Sequence, residues 1–279
     1  MAKVSIWSMT ARNGSIDILR FAGAVGIVWF HLKMPGAQFA LSALPMFVTL
    51  LVYFGAGTSM KKRAARLMAP WAIWCVIYAL AKIADALVSG KPVSSEFSYW
   101  MLFTGPALHL WFLPFSFFFL ALFERLKGRV LWMVAIILSG LSLWALQAGL
   151  LRVPLEQWAS VVPAAFLGLL MQQGKSPVPV AVGFTAICAL LYLTGWNILT
   201  MQLGLGALLT LIALVFKSPA APITTILSNI SLGVYLIHPL IYAAALRIGV
   251  TDGAIMFLLV LVGSLVATQI LRRALPRAV

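Results

Sequence analysis

Six residue positions of this chain have the types and spacing to do chemistry. Arg20 and His31 lie 11 residues apart in "IDILRFAGAVGIVWFH". At about 100° per residue, 11 steps end about 20° past three full turns, so on a helix the two share one face, about 16 Å apart along its axis. His109 and His238 are the other two histidines of the chain. A histidine ionises near neutral pH, which suits it to taking a proton from a reacting hydroxyl. Arg63 and Arg66, in "KKRAARLMAP", stand at i and i+3 on one helix face, an arrangement that holds an anion such as a phosphate. The plainer reading makes Arg20 a snorkelling side chain, His31 an interfacial residue and the basic run an ordinary loop.

The elements that must position these residues are membrane helices. Of 279 residues, 63% are hydrophobic and 9% charged, against about 25% charged in a soluble domain. Ten apolar segments fall at about 16–33, 38–57, 67–88, 107–123, 130–147, 157–172, 178–194, 198–216, 223–246 and 253–271, and a crossing takes about 20 residues. The fold class is therefore an all-α integral membrane protein, a bundle of about ten helices. Residues 1–279 form one polytopic domain, with no soluble domain in the short loops. The start of the chain imitates a signal peptide, but Asp17, Arg20 and His31 interrupt its apolar stretch, which is read as the first span.

Charge sets the expected orientation. With both termini in the cytoplasm, the inner segments hold 14 Lys and Arg, Lys3, Arg12 and Arg277 among them, and the outer loops hold 4. That imbalance is the positive-inside pattern, N-in and C-in. The net charge of +14 follows from those loops, so the chain meets lipid and no nucleic acid. Cys75 and Cys188 each sit inside an apolar run, which excludes a disulfide framework or a Cys-based zinc site. The histidines follow no metal-ligand spacing, and no metal is expected.

Depth arithmetic links the candidates. At about 1.5 Å per residue, His31, His238 and Lys82 each lie about 22 Å from the inner end of their spans, and His109 begins a span at the outer side. All three histidines thus fall in one outer layer. Asp85, three residues beyond Lys82, is placed to pair with it. Asp85 or Glu96 is a candidate to orient a histidine.

The same residues carry a family resemblance. "IDILRFAGAVGIVWFH", with Asp17 ahead of the Arg20–His31 pair, resembles the opening motif of the acyltransferase-3 family, membrane O-acyltransferases of surface and exported polysaccharides. "RAARLMAP" is similar to the family's Arg-x-x-Arg segment, "LHLWFLPF" (His109, Trp111) to its His-x-Trp-Phe-Leu-Pro motif, and "SLGVYLIHPL" (Tyr235, His238) to its C-terminal signature. The four stand in the family's order over essentially the whole chain. The second span departs from the pattern: "MFVTLLVYFGAGTSMKKRAAR" lacks the family's Ser-Gly and has a short linker. The chain is also short for the family and has no appended esterase-like domain.

The resemblance implies acetyl-CoA or another acyl-CoA as cytoplasmic co-substrate, no tightly bound cofactor, and a carbohydrate acceptor, either a surface or exported polysaccharide or its lipid-linked precursor. It implies a multi-pass protein of the inner (cytoplasmic) membrane. In that scheme Arg63 and Arg66 pair with CoA phosphates and Arg20 holds the donor deeper in the bundle. His31 is the general base, with a transient acyl-histidine as the less favoured route. His238, Tyr235 or His109 donates to the tetrahedral oxyanion. Asp17, Asp85 and Trp111 support the site. The rival readings are a proton-coupled carrier of a polysaccharide, since intramembrane His, Arg and Lys also mark ion paths, and a non-catalytic scaffold.

Overall fold

A computed structural model describes residues 12–276 and 278, so Lys3 and Arg277, used in the charge count, lie outside the described residues. Its helices are α1 (Gly14–His31), α2 (Ala37–Ala40), α3 (Ala43–Gly55), α4 (Met60–Val88), α5 (Met101–Thr104), α6 (Phe112–Phe123), α7 (Gly128–Gln147), α8 (Leu155–Gln173), α9 (Pro177–Leu193), α10 (Ile198–Val215), α11 (Pro222–Arg247) and α12 (Gly253–Ala274). Short 3₁₀ turns cover Val93–Glu96 and Leu108–Trp111. Among the described residues there is no strand, only an isolated bridge between Asn13 and Pro219.

Each of the ten predicted segments coincides with a helix, the second with α2 and α3 together and the fourth with the 3₁₀ turn and α6. The ten are not alike as membrane spans. Six are long and apolar enough to cross on their own, namely α2–α3, α4, α7, α10, α11 and α12. Leu108–Phe123 and α9 are apolar but shorter. α1 and α8 have the length, with 18 and 19 residues, but polar residues lower their hydropathy: Asp17, Arg20 and His31 in α1, Glu156 and the closing Gln172 and Gln173 in α8.

The start of α1 is tied down in three ways. The Asn13 side chain caps the helix through the Ser15 N–H (3.0 Å) and donates to the Ala213 carbonyl (2.8 Å) at the end of α10. The Gly14 N–H donates to the Ser218 carbonyl at 2.9 Å. A Cβ at Gly14 would lie 2.6 Å from the Pro219 oxygen, so only glycine allows this approach. These ties set the register of α1 and therefore the positions of Arg20 and His31.

One large core cluster joins α3, α4, α6, α8 and α11. α3 and α8 approach closely, and a Cβ at Gly168 would meet the Thr49 oxygen at 2.6 Å. There Thr49 Oγ1 donates to the Ala164 carbonyl at 3.0 Å. A second cluster packs α1 against α11 and α12. α4 packs chiefly on α6, and it turns inward a stripe of Arg63, Leu67, Pro70, Trp74 and Tyr78. The outward faces of α4, α7, α9 and α12 carry exposed Leu, Ile and Val, the surface a lipid environment covers.

Candidate active site

The three histidines converge. His31 closes α1, His109 lies in the 3₁₀ turn before α6, and His238 sits on α11. The ring centroids of His31 and His238 are 5.0 Å apart, and those of His109 and His238 are 5.8 Å apart. His238 and His109 are buried, and His31 is exposed. It lines a hollow with Lys33, Met34 and Gln38.

The buried pair is held by backbone carbonyls. His238 Nδ1 lies 2.8 Å from the Tyr235 oxygen and 3.2 Å from the Val234 oxygen. His109 Nε2 lies 3.2 Å from the Leu236 oxygen. A carbonyl only accepts, so His238 carries its proton on Nδ1 and His109 on Nε2. The Tyr235 hydroxyl donates to the His109 carbonyl. Tyr78 from α4 donates to the Leu236 oxygen at 2.7 Å, with its ring 5.1 Å from that of His109. The turn carrying His109 reaches α4 through Gly105, whose φ of 85° favours glycine and where a Cβ would lie 2.7 Å from Cys75 Sγ.

A cavity of about 280 Å³ adjoins this cluster at Tyr235. Its lining combines Arg20, Thr58, Arg63 and Arg66 with leucines and Phe47, and with Ser231 and Tyr235 of α11. Tyr235 therefore forms both part of the cavity's wall and part of the cage around His109.

The arginines differ in how far they are committed. Arg63 is buried, with both terminal nitrogens on Glu124 (Nη1 to Oε1 3.3 Å, Nη2 to Oε2 2.5 Å). Its Nη2 also donates to the Gly55 and Thr58 carbonyls at 3.3 and 2.9 Å. Its terminal nitrogens are thus spent on fixing the α3–α4 loop, where Gly57 N–H also donates to Glu124 at 3.3 Å. Arg20 donates to Ser228 Oγ at 2.9 Å. Arg66 is exposed, lines the cavity and has no carboxylate partner among the described residues.

The remaining candidates lie off the histidine cluster. Asp17 pairs with Arg12 at 2.6 Å, at the base of α1. Asp85, in the last turn of α4, pairs with Arg247, the last residue of α11. Lys82 instead pairs with Glu96 at 3.3 Å. The predicted Lys82–Asp85 pair is thus replaced by two others, and no histidine has a carboxylate partner among the described residues. Trp111 packs in the aromatic core against Phe112 and Phe115. Among the described residues no group of three His, Cys, Asp and Glu side chains has a metal-holding arrangement.

Sequence reasoning missed Tyr78, Glu124 and Ser228. Tyr78 was legible as the end of a helical stripe, 15 residues beyond Arg63. Glu124 is one of only six acidic residues in the chain, and a scarce carboxylate beside a basic loop is a pairing signal. Ser228 carries no such signal.

No curated protein and no solved structure matches the chain. A family model described as an acyltransferase domain does, over residues 13–273. That span takes in the Arg–x10–His pair, the arginine end, the His109 turn and the His238 segment, and the chain belongs to the acyltransferase-3 family.

Proposed function

We propose that this chain is a membrane O-acyltransferase, an O-acetyltransferase in its simplest form. It moves an acyl group from acyl-CoA to a hydroxyl of a surface or exported polysaccharide or of its lipid-linked precursor. It crosses the inner membrane ten times with both ends in the cytoplasm, as the positive-inside pattern of its loops supports. The observation that carries the reading is one cavity lined by both the arginines and Tyr235, whose hydroxyl bonds the His109 backbone of the histidine cluster.

In this reading CoA phosphates meet Arg66 and Arg20 at the cytoplasmic end, while Arg63 holds the mouth in shape through Glu124. The pantetheine arm lies along the apolar walls, and the thioester reaches Tyr235. The acceptor hydroxyl enters from the outer side, where His31 is exposed. His31 takes the hydroxyl proton as the new C–O bond forms. The C–S bond then breaks, and the same proton is returned to the sulfur, releasing CoA as a thiol. Oxyanion donation falls to Tyr235 or His109, whose protons now rest on backbone carbonyls. His238 carries its proton on Nδ1 against the Tyr235 carbonyl, leaving Nε2 a buried, unpartnered acceptor, so its part in this reading is to accept.

The test is release of free thiol from acetyl-CoA by the detergent-purified chain, with and without a surface-glycan fraction, alongside His31→Ala. Acceptor-dependent release that is lost in the variant supports the reading. Folded protein that releases no thiol from any acyl-CoA overturns it, and glycan movement without acyl-CoA consumption would identify a carrier.

A further inference from the structure

We propose that Pro239 is a positioning residue: it fixes His238 in a single tautomer and so gives His31 a neutral acceptor where a catalytic triad places a carboxylate. In a helix the N–H of residue 239 would bond the carbonyl of residue 235. Proline has no N–H, so the Tyr235 carbonyl is left for a side chain, and His238 Nδ1 takes it at 2.8 Å. With the proton held on Nδ1, Nε2 is a bare lone pair. That atom is buried and has no hydrogen-bond partner. A buried polar atom left unpaired costs stability, and its presence here calls for an occupant.

The surrounding groups decide which occupant. Three titratable side chains face His238: His109 from the 3₁₀ turn, Tyr235 from its own helix and His31 from α1. The proton of His109 is committed to Leu236 and that of Tyr235 to His109. No carboxylate pairs with any of these rings among the described residues. His31 is exposed, makes no hydrogen bond to its ring among the described residues and lies 5.0 Å away centroid to centroid. Of the three it alone has a ring N–H that no carbonyl already holds, free to turn toward His238 Nε2.

The relay rests on the acyl-transfer reading; the tautomer assignment does not. As the acceptor oxygen bonds the acyl carbon, its proton passes to one ring nitrogen of His31. The other N–H of the imidazolium is held by His238 Nε2, and His238 stays neutral throughout. When the C–S bond breaks, His31 gives the proton to the departing sulfur and returns to its starting state.

Nitrogen-15 NMR of histidine-labelled protein in detergent reads the tautomer directly, with His31→Gln and His109→Gln used for assignment. The expected result is a wild-type His238 protonated on Nδ1 alone. Pro239→Ala supplies the missing N–H to the Tyr235 carbonyl. It should bring up a His238 population protonated on Nε2 and lower kcat by at least about tenfold, with the acyl-CoA KM within about twofold of wild type. A wild-type His238 protonated on Nε2 overturns the proposal, and this needs no variant. So does a Pro239→Ala protein whose tautomer shifts while kcat does not. Failure of the acyl-transfer reading is distinguishable, since wild-type protein would then show no turnover whatever its tautomer.

Discussion

Removing Glu124 strands a buried cation. The Arg63 side chain is 2% exposed and that of Glu124 is 19% exposed. In Glu124→Leu the guanidinium stays between α3, α4 and α6 with only the Gly55 and Thr58 carbonyls as partners. Breaking a buried ion pair from one side costs about 3–5 kcal/mol. The two remaining carbonyls and the partial hydration of Glu124 put this case at the low end, about 3 kcal/mol. Arg63→Met leaves a carboxylate that water can reach, and should cost about 1–2 kcal/mol. Replacing both, as Arg63→Met with Glu124→Leu, removes both charges and should leave the protein within about 1 kcal/mol of wild type. A double-mutant cycle of unfolding in mixed micelles measures this, with a predicted coupling of about 4–5 kcal/mol. Additive single effects would refute the buried-pair account. The double variant should also keep its acyl-CoA KM, because Arg63 serves the shape of the mouth; a large rise in KM would make it a phosphate ligand.

Other consequences follow from the same geometry. Arg66→Ala, which removes an uncommitted cation at the cavity mouth, should raise the acyl-CoA KM about ten- to hundredfold in steady-state kinetics, the worth of a charge-assisted hydrogen bond, with kcat little changed. Gly168→Ala should lower unfolding stability by about 1–3 kcal/mol, since its Cβ would lie 2.6 Å from the Thr49 oxygen and 2.9 Å from Val52 Cβ; an unchanged midpoint would mean α3 and α8 separate freely.

That His31 and His238 fall at one level along their helices was legible because helical rise per residue is nearly constant, and their ring centroids lie 5.0 Å apart. Their lateral convergence was not, because it depends on α1 packing against α11 across about 200 residues of chain. The same limit governs the ion pairs. A local i, i+3 rule favours Lys82 with Asp85, but Arg247 and Glu96 reach these side chains from other elements and win. Arg63 and Arg66 look equivalent in sequence. The fold separates them, because α6 ends with Glu124 beside one and not the other. The uneven apolarity of the ten predicted segments has a chemical cause: α1 carries Asp17, Arg20 and His31, which lower its hydropathy, and of these Arg20 lines the cavity and His31 joins the histidine cluster.

The central claim is that a donor bound at the arginine end acylates an acceptor at the histidine end. Sealed inverted membrane vesicles containing the chain, given acetyl-CoA labelled in the acetyl group on their outside only, test it directly. The account predicts labelled carbohydrate inside the vesicles with the wild-type chain and none with His31→Ala at equal protein levels. Label remaining wholly on the donor side, or equal lumenal labelling by His31→Ala, would contradict it.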